Sequence, residues 1–117
     1  MKQFSRSDRL GGQILKDTSE YMDRVLAEKI EGMITFTYAR LSKDLQYVTL
    51  YYSFLGNDEK RKSSQNFLDA RKKEIRKHVG QFIRARHIPE FTFKFDPSIE
   101  EGQKIERLLN EIADERK

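Results

Sequence analysis

The chain carries a strongly basic segment in its second half. Residues 60–86 contain ten Lys or Arg against Asp69 and Glu74, a formal charge of +8, and the rest of the chain holds thirteen Lys or Arg against seventeen acidic residues, or −4. The overall charge of +4 therefore conceals a dipolar molecule. A concentrated positive surface of this kind is typical of a protein that binds a polyanion.

Helical periodicity predicts which of these residues face solvent. At 100° per residue, the face predicted to be buried contains Leu68, Ile75, Val79 and Phe82. The outward stripe opposite contains Lys73, Arg76, Lys77 and Arg84. A charge run is often only a solvated helix face, but such faces usually interleave both signs and this one does not. The stripe is therefore a candidate surface for the phosphates of a nucleic acid.

Two cations do not fit this stripe. On a straight helix, Arg71 and Lys72 would lie about 40° and 60° from Ile75, on the buried side. Burying two unpaired cations costs several kcal/mol each. We therefore predict a kink or a short non-helical turn at residues 70–73. The alternative is that both long side chains snorkel to the surface.

The sequence contains no pattern typical of an active site or a cofactor site. There is no cysteine, and the two histidines, His78 and His87, are nine residues apart without regular metal-ligand spacing. The paired acids Glu100 and Glu101 are better explained as helix-capping residues than as an acid/base pair. We expect neither enzyme activity nor a metal or cofactor.

Hydrophobic periodicity predicts the elements that hold the basic stripe. Apolar residues at three- to four-residue spacing predict three helices. The first ends near Gly32, and the second starts near Ser63 or Ser64 and ends before Pro89. The third starts near Ser98, and its apolar face contains Ile105, Leu108, Leu109 and Ile112. Alternating β-branched and aromatic residues predict a hairpin of residues 34–41 and 47–55 and a third strand at 91–95.

In the first strand, one apolar face is predicted to hold Ile34, Phe36 and Tyr38. We expect most Phe and Tyr to pack in the core rather than stack on bases. The predicted order is α-β-β-α(kinked)-β-α, a two-layer α+β fold with a three-stranded sheet and one domain over residues 5–115. Since the sequence has no signal-peptide or membrane-spanning pattern, we expect a cytoplasmic protein. We also expect it to be a monomer.

Several segments together resemble the bacterial ribosome-binding factor A family. They are Ser-Lys-Asp-Leu at 42–45, Arg-Ala-Arg-His-Ile-Pro-Glu-Phe-Thr-Phe at 84–93, Asp-Pro-Ser at 96–98 and Gly102. The resemblance extends over residues 6–114. It implies a K-homology-like (type II) fold and a non-enzymatic maturation factor that binds the small ribosomal subunit and its ribosomal RNA, assisting processing of the RNA 5′ end, especially in the cold.

The resemblance also implies an Ala-x-Gly element that kinks the helical region. In this chain the two positions fall at Arg71 and Lys73, or, after a shift of one residue, at Ala70 and Lys72. Glycine is therefore absent where the family pattern expects it.

Charge and resemblance together predict an RNA-binding set. It consists of Arg71, Lys72, Lys73, Arg76, Lys77, Arg84 and Arg86, with Lys60, Arg61 and Lys62 as a flexible outer arm. If five or six of these meet phosphates, affinity should fall with salt at a log-log slope of roughly −4 to −5. The partners expected are the small subunit and its RNA, with no membrane and no small-molecule substrate. The alternative is an adaptor whose basic face binds an acidic protein.

Overall fold

The computed structural model describes residues 6–98 and Leu109. Helix α1 (Arg6–Tyr21) continues through a π-helical turn (Met22–Leu26) and a 3₁₀ turn (Ala27–Lys29). After the β-hairpin come α2 (Asp58–Ala70) and α3 (Lys72–Gly80). The predicted C-terminal helix lies outside the described residues, Leu109 excepted. None of the described helices is long and apolar enough to cross a membrane.

The three strands form one mixed sheet. Strands β1 (Met33–Leu41), β2 (Tyr47–Leu55) and β3 (Glu90–Phe95) lie in the order β1-β2-β3, with β1 antiparallel and β3 parallel to the central β2. Since the crossover from β2 to β3 carries α2 and α3, helices and strands form the two layers of an α+β fold. The predicted fold class and hairpin are confirmed.

Local chemistry sets the hairpin loop between β1 and β2. The Asp44 carboxylate accepts hydrogen bonds from the Ser42 hydroxyl, at 2.7 Å, and from the Gln46 amide, at 3.2 Å. These bonds, the Ser42 bond first, lower the pKa of Asp44. Leu45 takes a positive φ of 61° to close the turn. Asp44 thus serves the backbone of the turn, as expected of aspartate there.

The core lies between the helices and one face of the sheet. Leu50, Tyr52, Leu68 and Ile75 are completely inaccessible to solvent. The Tyr52 hydroxyl donates a hydrogen bond to the Gln65 side chain, so its polar end is satisfied. Sheet and helices are therefore held together by both apolar contact and a buried polar link.

A β-bulge overturns the expectation for Tyr38. Phe36 pairs with Tyr52, but the next pair is Tyr38 with Tyr51, which leaves Thr37 as an extra residue on β1. Because side chains alternate along a strand, one extra residue moves Tyr38 to the opposite face. Its side chain is 58% exposed, and the prediction that it joins Ile34 and Phe36 in the core is wrong.

The end of α3 also differs from the prediction. The helix stops at Gly80 rather than before Pro89, and the amides of Gln81 and Phe82 bond carbonyls three residues back. Phe82 is consequently 59% exposed, although helical phase predicted burial. Arg84 and Arg86 lie in the loop after α3, so the predicted helical position of Arg84 is wrong.

Candidate nucleic-acid interface

A shallow groove lies between α3 and the loop that follows it. It encloses about 540 Å³ and is lined by Lys73, Arg76, Lys77, Gly80, Gln81, Arg86, His87 and Ile88. Four of these residues belong to the predicted RNA-binding set. The fold therefore gathers cations from a helix and from a loop nine or more residues further along the chain.

Arg76 and Gly80 hold this loop against α3. The Arg76 guanidinium donates from Nε to the Pro89 carbonyl, at 3.0 Å, and from Nη2 to the Ile88 carbonyl, at 2.6 Å. At Gly80, a Cβ atom would lie only 3.2 Å from Cγ1 of Ile88, so glycine permits the close approach of the loop. These contacts fix the path of the chain from α3 into β3.

The predicted outward position of Arg76 is therefore wrong. Helical phase takes no account of the loop after α3, which returns over this side of the helix and leaves Arg76 half-buried. Two of the five N–H groups of the guanidinium are committed to backbone carbonyls. Arg76 contributes charge to the groove and also builds one of its walls.

Lys73, Lys77 and Arg86 supply the available charge of the groove. All three are exposed, and within the described residues no carboxylate lies within 4.0 Å of any of them. Lys73 and Lys77 are one helical turn apart, which places their Cβ atoms about 6 Å from each other. Three unpaired cations around an open groove can contact the phosphates of a folded nucleic acid.

The other predicted cations do not line the groove. Lys72 is half-buried and Arg84 is exposed, and neither lines it. The Arg71 guanidinium lies 4.5 Å from the centre of the Phe67 ring and 3.3 Å from the Glu74 carboxylate. Arg71 is thus already paired within the protein.

The expected flexible arm is instead part of a helix. Lys60, Arg61 and Lys62 belong to α2, which begins five or six residues earlier than predicted because the Asn57 side chain caps it by accepting a hydrogen bond from the Lys60 amide at 2.8 Å. The Arg61 guanidinium stacks 4.5 Å from the centre of the Phe95 ring. The backbone of all three residues is thus helical, and the Arg61 side chain packs on Phe95.

Sequence reasoning missed His87 and Gly80 as parts of the site. His87 was considered only as a metal ligand, and within the described residues no group of three or more His, Cys, Asp or Glu is placed to hold a metal ion. It lines the groove instead, next to Arg86. The nearest sequence signal was its position in the basic stretch before Pro89.

Comparison with known proteins identifies the family. The family model for ribosome-binding factor A matches residues 6–109. The chain belongs to the ribosome-binding factor A family. A relative from Citrifermentans bemidjiense is 40% identical over 92% of this chain and 91% of its own length, and one from Brevibacillus brevis is 39% identical over 95% and 92%.

Solved structures agree with this ribosome-binding factor A assignment. A Thermotoga maritima protein assigned as a ribosome binding factor A, determined by solution NMR, is 30% identical, with a TM-score of 0.66 over 80% of this chain and 90% of its own. The Thermus thermophilus ribosome-binding factor A crystal structure is 18% identical, with a TM-score of 0.66 over 76% and 93%. A homology model of the Thermus thermophilus factor, fitted into a cryo-EM map of a 30S complex, is 17% identical, with a TM-score of 0.62 over 74% and 91%. The last two matches establish the shared fold.

This ribosome-binding factor A chain forms its interhelical break without glycine. The break is at Arg71, within the predicted window, with φ −104° and ψ 10°. That conformation lies in the bridge region with negative φ, which residues other than glycine can adopt. The Arg71 amide bonds the Phe67 and Leu68 carbonyls, and its own carbonyl accepts the Ile75 amide at 2.9 Å. These bonds link the turn to both helices, and the prediction of a kink or a short non-helical turn at residues 70–73 is confirmed in its second form, a turn at Arg71.

Proposed function

We propose that this protein is a non-catalytic assembly and maturation factor that binds the small ribosomal subunit through its ribosomal RNA. The groove between α3 and the following loop is the observation that carries the proposal, because Lys73, Lys77 and Arg86 in it form no ion pair with any described residue. Membership of the ribosome-binding factor A family supports it, as does the 30S complex of the Thermus thermophilus relative. Residues 5–115 act as one RNA-binding domain in the cytoplasm, where the subunits mature.

Contact in this groove is mainly to phosphates. The available groups are two ammonium groups and one guanidinium, and phosphate contacts supply affinity and position rather than base specificity. Lys72 and Arg84, beside the groove, extend the same surface. The finer role proposed, assistance in processing of the RNA 5′ end, especially in the cold, follows from the family resemblance.

Co-sedimentation with purified small and large subunits across a salt series tests the proposal. If Lys73, Lys77 and Arg86 each neutralise one phosphate, the log-log slope of affinity against salt should be about −2 to −3, and each flanking cation that engages should steepen it by nearly one. Lys73→Glu with Lys77→Glu should abolish association and leave the unfolding curve unchanged. The matched control is Arg9→Glu with Lys16→Glu, an equal charge change at two exposed positions of α1.

Two results would contradict the proposal. One is a flat salt response of small-subunit association. The other is equal loss of association in both double variants, which would reveal a general charge effect. Competition by an acidic polypeptide but not by ribosomal RNA would favour the adaptor function instead.

A further inference from the structure

The sheet has a second face that none of the helices in the described part of the chain covers. Its central part contains Tyr38, Arg40, Tyr51 and Lys94, which line a shallow depression of about 500 Å³ together with Phe95, Asp96 and Pro97. The face lies on the side of the sheet opposite α2 and α3. It is therefore separate from the groove of the proposed function.

The register of the sheet places three of these side chains in one row. Tyr38 pairs with Tyr51 across β1 and β2, and Tyr51 pairs with Lys94 across β2 and β3. Neighbouring strands are about 4.8 Å apart, so the row is about 10 Å wide. Arg40 is two residues beyond Tyr38 on the same face of β1, which places it about 7 Å along the strand.

The bulge at Thr37 creates this arrangement. Without it, Tyr38 would face the core and the outward row would lose its edge aromatic ring. With it, the Tyr38 and Tyr51 rings lie 6.1 Å apart between centres at an interplanar angle of 32°, and Tyr38 is 58% exposed. The bulge thus exposes a tyrosine that a regular strand would have buried. Bulges commonly redirect side chains near functional sites.

The charges beside the rings indicate the kind of partner. Arg40 and Lys94 are exposed, and no carboxylate lies within 4.0 Å of either among the described residues. The one acid in the depression, Asp96, accepts the Ser98 amide at 3.0 Å and so serves a local turn. Aromatic rings between unpaired cations, on an open sheet, form a surface that stacks bases and contacts their phosphates.

We propose that this open sheet face binds single-stranded RNA, with Tyr38 and Tyr51 stacking on bases and Arg40 and Lys94 contacting the backbone. The inference rests on the proposed RNA-binding function and adds to it a second contact on the opposite layer. The helical groove would hold structured RNA by charge, and the sheet would hold an unpaired strand by stacking.

The test uses the full chain and an eight-nucleotide, fluorescein-labelled single-stranded RNA containing uridines, with binding followed by fluorescence anisotropy. Tyr38→Ala with Tyr51→Ala should weaken binding roughly five- to 150-fold for each base that loses its stacking partner. Tyr38→Phe with Tyr51→Phe keeps the rings and should keep wild-type affinity. In NMR spectra, the uracil ring protons should shift upfield on binding wild-type protein and not on binding the alanine variant.

A second variant is needed because Tyr51 is half-buried, so its replacement by alanine could unfold the protein. Arg40→Glu with Lys94→Glu changes only exposed side chains and should weaken the same RNA and flatten its salt dependence. The inference is overturned if the alanine pair binds like the wild type, if the phenylalanine pair loses as much affinity as the alanine pair, or if a duplex of equal length is affected as strongly.

The outcome also separates this inference from the proposed function. If Lys73→Glu with Lys77→Glu abolishes subunit association while Tyr38→Ala with Tyr51→Ala leaves oligonucleotide binding intact, only the sheet inference fails. If the tyrosines are required for the oligonucleotide but the lysines are not required for the subunit, only the groove proposal fails.

Discussion

Replacement of Arg76 should destabilise the fold even though the residue belongs to a basic surface. Arg76→Ala removes the donors to the Pro89 and Ile88 carbonyls, at 3.0 and 2.6 Å. A hydrogen bond from a charged donor contributes about 1.5–3 kcal/mol. Because the groove is open, water can partly replace the guanidinium, and we expect a loss of about 2–3 kcal/mol in the free energy of unfolding rather than the full sum. For a chain of this length, that corresponds to a Tm lower by roughly 10 °C.

Urea denaturation followed by circular dichroism measures this loss. Lys77→Ala, at the adjacent exposed position, is the matched control and should change stability by less than about 0.5 kcal/mol. Arg76→Lys should recover about half of the loss, because one ammonium group can reach only one of the two carbonyls. If Arg76→Ala and Lys77→Ala lower the urea midpoint equally, the role of Arg76 in holding the loop is refuted.

Two further predictions concern single positions. Gly32→Ala should lower the free energy of unfolding by more than about 1 kcal/mol, because the φ of Gly32 is +111° and a Cβ atom would lie 2.5 Å from the Phe54 ring. Gly12→Ala, in α1 with open space around it, should raise the free energy of unfolding by up to about 1 kcal/mol. Changes of the same sign in urea titrations of the two variants would contradict this prediction. Burial raises the pKa of Tyr52, and burial followed by the Glu74 charge raises the pKa of Tyr21. The contribution of these two tyrosines to the free energy of unfolding should therefore be constant up to about pH 10 and be lost as the pH rises from there through their folded-state pKa values; Tyr52→Phe should reduce this alkaline fall in stability, and an unchanged slope would contradict the prediction.

The elements that rest on local chemistry were predictable from the sequence. The β2 strand was predicted with its observed bounds and β1 with one residue fewer, because alternating aromatic and β-branched residues end at a loop closed by Asp44. The break at Arg71 was also predictable, since helical phase would otherwise have buried two cations. In each case the deciding interaction lies within a few residues of the element itself.

The features that rest on tertiary contacts were not predictable in this way. Nothing in β1 marks Thr37 as the bulged residue, because the bulge depends on the register with β2. The early end of α3 depends on the packing of Ile88 against Gly80. The hydrogen bond from Arg76 to the Ile88 carbonyl depends on the same loop. Helical phase predicts the direction of each side chain on a helix, but it does not predict which other segment of the chain packs against that side chain.

This difference changes the expected salt dependence. Counting basic residues in the sequence gave five or six phosphate contacts and a slope of roughly −4 to −5. In the structure Arg71 is paired with Phe67 and Glu74, and Arg76 is bonded to the loop. Lys73, Lys77 and Arg86 are the groove cations that have no such partner among residues 6–98. A slope near −2 to −3 would therefore indicate binding through the groove alone, and a steeper one would require the flanking cations. In that second case, Lys72→Glu with Arg84→Glu should return the slope to the shallower value.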